Sequence, residues 1–311
     1  VSIWNATYST FRFVGSSRAR GKHSIWRGVP DTSLVGLYGR PFLALDETLT
    51  AAGVDFGVLP AIHDEVCVAY ASMPVDYTGG SHRSMGIMPA SRRSEAVVDY
   101  LEVLRGLTDA QWAQFVALAD DPSDFADVDV AGRADIGEER KLPLSRRQML
   151  WLKVRFGVYF PWKGYLELLP NRRWSDKSNP EGKRFTRAAQ LFLPSTLAFV
   201  RTLPFVSIGR CNIMGLEAND WGTVHHDGEH ANRSDDDDAD EFITIYPVQN
   251  KSLFLWDEPA QREVVVGGAS AVWFNDYDFH GVHSAPHFRY SIRVDGVFTD
   301  EFRAQLVERF A

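Results

Sequence analysis

Residues 279–296, "FHGVHSAPHFRYSIRVDG", carry His280 in a short apolar run, a turn at Pro286, and then a second run that reads as a β-strand. On a strand successive side chains point to opposite faces, so Arg289, Ser291 and Arg293 share one face. Upstream, residues 223–242, "TVHHDGEHANRSDDDDADEF", gather three histidines and eight acidic side chains into twenty positions. His225 and Asp227 are two apart, and at an extended strand end their side chains face the same way. Such a pair offers one nitrogen and one oxygen to a single ion, and a third ligand must come from another strand. His280 is the candidate.

Two histidines and a carboxylate on one face of an ion leave three coordination positions open, the donor set of non-haem Fe(II) oxygenases. The order His225-x-Asp227, then His280 after an interval of 52 residues, then Arg289-x-Ser291, resembles the Fe(II)/2-oxoglutarate-dependent oxygenase superfamily. "GRCNIMGLEANDWGTVHHD" also resembles the strand and turn before the HxD motif in members that hydroxylate amino acids. The resemblance spans roughly residues 205–297 and implies a double-stranded β-helix, the jelly-roll or cupin-like core. It implies that His225, Asp227 and His280 hold Fe(II). It further implies that 2-oxoglutarate and O₂ are co-substrates, and that Arg289 pairs with the far carboxylate of 2-oxoglutarate through its planar fork while Ser291 adds a hydrogen bond. Asn212 and Tyr246 lie on strands that can line the same cavity. Two alternatives stay open: His283 for His280, and Arg293 for Arg289.

Other readings of the same residues are weaker. His226-x-Gly228 has the carboxylate-free form of related halogenases, but Asp227 stands where the His225 reading needs a carboxylate. Desaturation and cyclisation would use the same ligands as hydroxylation. His226 and His230 are four apart like helical zinc ligands, yet "DGE" breaks HExxH and Gly228 disfavours a helix. His287, after Pro286, reads as a solvent histidine, and Trp221, Trp256 and Trp273 read as core. Arg210 is compatible with a surface ion pair or a clamp on a substrate carboxylate. "SDDDDADE", residues 234–241, reads as a solvated acidic loop, because adjacent aspartates repel and bury poorly. It lacks the alternation and glycine of a calcium-binding EF-hand. A rival of another class is a non-catalytic β-sandwich binding protein whose histidines are incidental.

The wider chain sets the class as α+β. "LTDAQWAQFVALAD" has Thr108 and Gln111 at capping-box spacing, and "LSRRQMLWLKVRFGVYF" begins at a Ser145 cap. "FTRAAQLFLPSTLAFVRTL" reads as a third helix bent or interrupted at Pro194. From about residue 204 short β-rich runs follow one another until "TDEFRAQLVERF" closes the chain as an amphipathic helix. Residues 1–203 are therefore expected to form a mainly helical substrate-side and supporting region. Residues 204–311 are expected to form the catalytic core, the two packed as one unit.

The 311 residues are 45% hydrophobic and 24% charged, which excludes global disorder. A net charge of -8 without a basic stripe argues against nucleic acid or anionic lipid as partner and favours a small molecule, an amino acid or natural-product derivative. Cys67 and Cys211 lie far apart, so no disulfide framework is expected. With no leader-like pattern and no apolar run long enough to span a bilayer, the expected location is the cytoplasm.

Overall fold

The computed structural model describes residues 28–73, 75–78, 88–92, 97–136, 144–160, 162–170, 177–227 and 240–311. The acidic run at 235–238, Gly228 and His230 lie outside them. The described residues are α+β. Strands β1 (Phe42–Ala44), β2 (Asp76–Thr78), β3 (Trp162–Leu169), β4 (Phe205–Leu216), β6 (Phe242–Ile245), β9 (Ala271–Phe274) and β11 (Arg289–Phe298) form a seven-stranded sheet in the order β1-β9-β6-β11-β4-β3-β2. A four-stranded sheet runs β5-β10-β7-β8, from β5 (Gly222–His225), β10 (His280–Val282), β7 (Leu253–Asp257) and β8 (Arg262–Val266). All pairings between these strands are antiparallel.

The helices begin where local chemistry starts them. In α4 (Asp109–Ala117) Thr108 caps Gln111 and Gln111 caps back, and Ser145 and Gln148 repeat that box for α5 (Arg146–Phe156). Both follow the spacing in the sequence. The third expected helix is two: α6 (Arg187–Phe192) and α7 (Pro194–Val200) meet at Leu193, because Pro194 has no N–H to continue the first. Glu65, on α2 (Leu59–Ser72), accepts from the Ser195 and Thr196 amides at 2.8 and 2.7 Å, so the new N-terminus is satisfied by a distant carboxylate.

One large apolar cluster joins both sheets to α1 (Asp46–Ala51), α2, α6, α7 and the closing helix α8 (Asp300–Phe310). A second, built from α3 (Tyr100–Gly106), α4 and α5, packs Tyr100, Leu104, Phe115 and Leu152 into a helical unit of its own. It meets the small sheet through Tyr159, whose hydroxyl donates to the Trp221 carbonyl and accepts from the Thr223 amide at 3.2 Å. Within residues 1–203, expected to be mainly helical, β3 is a strand that pairs with β4 along the large sheet. Residues 164–166, 168 and 169 are buried, leaving little of the polar-apolar alternation by which a half-exposed strand is recognised. With β1 and β2, this strand carries the large sheet well into the first 203 residues. Among the described residues no helix is long and apolar enough to cross a membrane.

The small sheet closes tightly at Gly281. A Cβ there would stand 2.8 Å from Phe254 Cζ and 3.0 Å from the Gly222 carbonyl oxygen, whereas one at Gly222 would make ordinary contact at 3.4 Å with Val282. Gly281→Ala is therefore expected to lower stability in urea unfolding by about 1–3 kcal/mol through overpacking. Gly222→Ala should cost clearly less; equal stability of Gly281→Ala and wild type would contradict the close packing of β10.

Candidate metal centre

The centre begins with a register. In the antiparallel pairing of β5 with β10, His280 lies directly opposite His225, and their ring centroids are 4.5 Å apart. Directly opposed residues in such a pair are among the closest side-chain neighbours a sheet makes. Each ring is fixed by the same local device, with His225 Nδ1 2.7 Å from the Thr223 carbonyl oxygen and His280 Nδ1 3.0 Å from that of Asp278. A carbonyl oxygen only accepts, so both Nδ1 atoms carry the proton and both Nε2 lone pairs face away, ready for a ligand. Burial first, and then the neighbouring His280, lowers the His225 pKa to about 4; burial lowers that of His280 as well. Both imidazoles are thereby held neutral, the form a metal needs.

Asp227 follows β5 by two residues. Its amide donates to the Asp276 carbonyl at 2.8 Å, which ties it to the loop leading into His280. That loop is held in turn by Asp278, whose carboxylate accepts from the Val35 and Gly36 amides, both at 2.8 Å. Burial raises the Asp227 carboxyl's pKa, but the nearby His280, Arg293 and Lys177 outweigh it and keep the group below the usual carboxylate range. Asp227 Oδ1 lies 3.6 Å from His225 Nε2, and ligand atoms of all three residues fall within 4.8 Å of one another. All three residues are buried. Two neutral nitrogens and one anionic oxygen at this spacing suit a divalent ion with bonds of about 2 Å.

A cavity opens beside them, lined by Met214, Thr244, Tyr246, Lys251, Leu253, Phe274, Val282, Ser291 and Arg293 as well as the three ligand candidates. Two features of its wall point to an anionic guest. Tyr246 Oη is buried with no hydrogen-bond partner among the described residues. Lys251 Nζ donates to Ser291 Oγ at 2.7 Å, and burial, followed by the guanidinium charges of Arg289 and Arg293, pushes its pKa down to about 7. An ammonium under that pressure gains from a carboxylate brought next to it.

The other sequence candidates are distributed differently. Ser291, Tyr246 and Arg293 reach the cavity. Arg289 is fully buried but turns away from it, donating to the carbonyl oxygens of Glu217 and His287 at 3.2 and 3.3 Å, to that of His283 at 2.7 Å, and to that of Asp220. It therefore ties together the two turns that flank its strand. Asn212 gives its amide to the Tyr165 hydroxyl at 2.9 Å and is absent from the cavity wall. His283 is exposed, pairs with Glu263 at 2.8 Å and stacks on Phe254. His226 packs its ring 5.2 Å from Phe279, and His287 is exposed. Trp256 and Trp273 are buried, while Trp221 is partly exposed beside Tyr159. Arg210 is neither a surface pair nor a clamp: it grips Asp295 with both prongs inside the core. Sequence reasoning passed over Lys251. It sits two residues before an apolar strand of the small sheet, and its amine reaches across to Ser291 and to Met214, which the large sheet pairs with each other.

No protein-family profile matches the chain, and no curated protein does. Among solved structures, a prolyl-4-hydroxylase of Pseudomonas putida is similar over 44% of this chain and 74% of its own, at 14% identity and a TM-score of 0.25. A 2OG-Fe(II) oxygenase family oxidoreductase of Burkholderia pseudomallei is similar over 42% of this chain and 66% of its own, at 13% identity and a TM-score of 0.27. AviO1 of Streptomyces viridochromogenes is similar over 48% of this chain and 78% of its own, at 14% identity and a TM-score of 0.25.

Proposed function

We propose that the protein is an Fe(II)- and 2-oxoglutarate-dependent oxygenase acting on a C–H bond of a small molecule, with its two sheets forming a double-stranded β-helix around the site. The observation that carries this reading is the pair of opposed histidines, each with Nδ1 locked to a carbonyl, whose ligand atoms lie within 4.8 Å of each other and of Asp227's. His225, Asp227 and His280 hold the iron, which with 2-oxoglutarate and O₂ would supply oxidative decarboxylation to succinate and CO₂ coupled to C–H oxidation.

The residues of the chain divide the remaining work. Lys251, rather than Arg289, meets the far carboxylate of 2-oxoglutarate, since it is the cation on the cavity wall held by Ser291. Ser291 and Tyr246 add hydrogen bonds, and Tyr246 Oη gains the partner it lacks among the described residues. Met214, Leu253, Phe274 and Val282 keep the pocket apolar around those few polar contacts, which strengthens each of them. Hydroxylation is the expected outcome. Asp227 in the cluster disfavours halogenation, which requires that ligand position to be vacant for halide.

Anaerobic titration with Fe(II) and 2-oxoglutarate is expected to develop the weak visible charge-transfer band of the chelate, and Asp227→Ala to abolish it. A wild-type protein that gives neither the band nor substrate-dependent succinate would favour the non-catalytic binding protein. Lys251→Met should weaken 2-oxoglutarate binding at least tenfold while metal affinity holds, whereas Arg289→Met should lower stability and leave co-substrate affinity within about threefold. The pH dependence has a definite sign. The amine is protonated below about 7 and neutral above, so 2-oxoglutarate affinity is expected to fall by roughly tenfold between pH 6 and 8. Lys251→Met should flatten that slope; a flat wild-type profile would remove Lys251 from the anchoring role.

A further inference from the structure

A group of buried charges runs from Asp227 into the core behind the metal ligands. Arg293 is at its centre. Its Nη1 donates to Asp227 Oδ2 at 3.2 Å, its Nη2 to Asp276 Oδ2 at 2.5 Å, and its Nε to Asp295 Oδ1 at 3.0 Å. The guanidinium lies 3.7 Å over the Phe242 ring. Lys177 reaches the same Asp276 oxygen at 3.1 Å and Asp240 at 2.8 Å, and Arg210 holds Asp295 from the other side. Arg293, Lys177 and Arg210 thus face Asp227, Asp276 and Asp295 in an interior where none of the six is more than 8% exposed.

We propose that Arg293 is a positioning residue for the metal, fixing Asp227 so that it offers one oxygen and no more. This inference rests on the oxygenase reading. A free carboxylate beside an ion can swing about its last torsion and bind through both oxygens. Here Oδ2 is engaged by the guanidinium, and Oδ1 is the atom left beside His225 Nε2. The guanidinium cannot follow a swing, because two further aspartates and the Phe242 face hold its plane. Asp276 closes the arrangement from both ends. Its carboxylate locks Arg293, and its carbonyl accepts the Asp227 amide. A single-oxygen contact keeps an additional coordination position open, which a chelating co-substrate needs. The same contacts compensate the Asp227 charge before any metal arrives, so the ligand is pre-formed.

The test is Co(II) binding, followed by the absorption of the protein–metal complex without co-substrate. Arg293→Lys keeps the charge but loses the fork that spans three carboxylates, so it changes orientation at constant charge. The expected result is a Co(II) dissociation constant raised roughly tenfold or more, a typical effect of disturbing a residue that orients a ligand, with an altered ligand-field spectrum. Asp276→Asn, which loosens Arg293 and keeps the carbonyl, should shift both in the same direction by less, and serves if the first variant does not fold. Glu65→Ala, which uncaps α7 far from the site, should lower stability and leave both readouts at wild-type values. A wild-type affinity and spectrum in folded Arg293→Lys, or in Asp276→Asn where that variant is the one that folds, would overturn the positioning role alone. Failure of the wild type to bind Co(II) would overturn the oxygenase reading together with it.

Discussion

The site depends on one register. Because β5 and β10 run antiparallel with His225 opposite His280, two imidazoles 55 positions apart in the sequence cannot avoid meeting. A slip of one residue would turn every side chain of the strand to the other face and send one imidazole out of the cavity. The register is defended from both sides. Close packing at Gly281 against Phe254 and Gly222 leaves no room for a displaced strand, and Asp278 anchors the preceding loop to the Val35 and Gly36 amides.

The second constraint is electrostatic. A buried carboxylate is costly unless cations or donors meet it, and the interior around Asp227 contains several carboxylates at once. They are tolerated because Arg293, Lys177 and Arg210 are drawn into the same volume from β11, from the segment at residue 177 and from β4. Removing one member leaves its partners as isolated buried charges, so such a network is sensitive to single changes and resists gradual drift. It also joins the strands that carry it: Arg210 and Asp295 are cross-strand partners in the β4–β11 ladder, so the ladder and the ion pair specify the same alignment.

Much of this was legible in the sequence, though unevenly. Thr108, Gln111, Ser145 and Gln148 could be read as caps because capping is local and its spacing fixed. The grouping of His225 and Asp227 could be expected because HxD at a strand end turns two donors the same way, whereas His280 as the third ligand came from the family resemblance, with His283 left open beside it. β3 was hidden, since a strand with both faces covered loses its alternation. The opening residues concealed β1 for a different reason: three residues are too few to show a period, and it is the edge contact with β9 that makes them a strand.

The placement of cations is where sequence spacing had least purchase, and the reason is general. Arg289, Ser291 and Arg293 alternate as a strand requires, so they share a face, yet their functional ends occupy three environments. Sharing a face fixes the direction of Cβ, whereas a guanidinium lies several bonds beyond and goes where its donors are satisfied. For Arg289 the unsatisfied carbonyls of two turns are near, and for Arg293 three carboxylates are. Ser291, with no length to wander, stays at the cavity and receives Lys251. A short side chain is therefore a better guide to where a strand face points than the long cations beside it, and in this chain Ser291 leads to the amine that its neighbours do not supply.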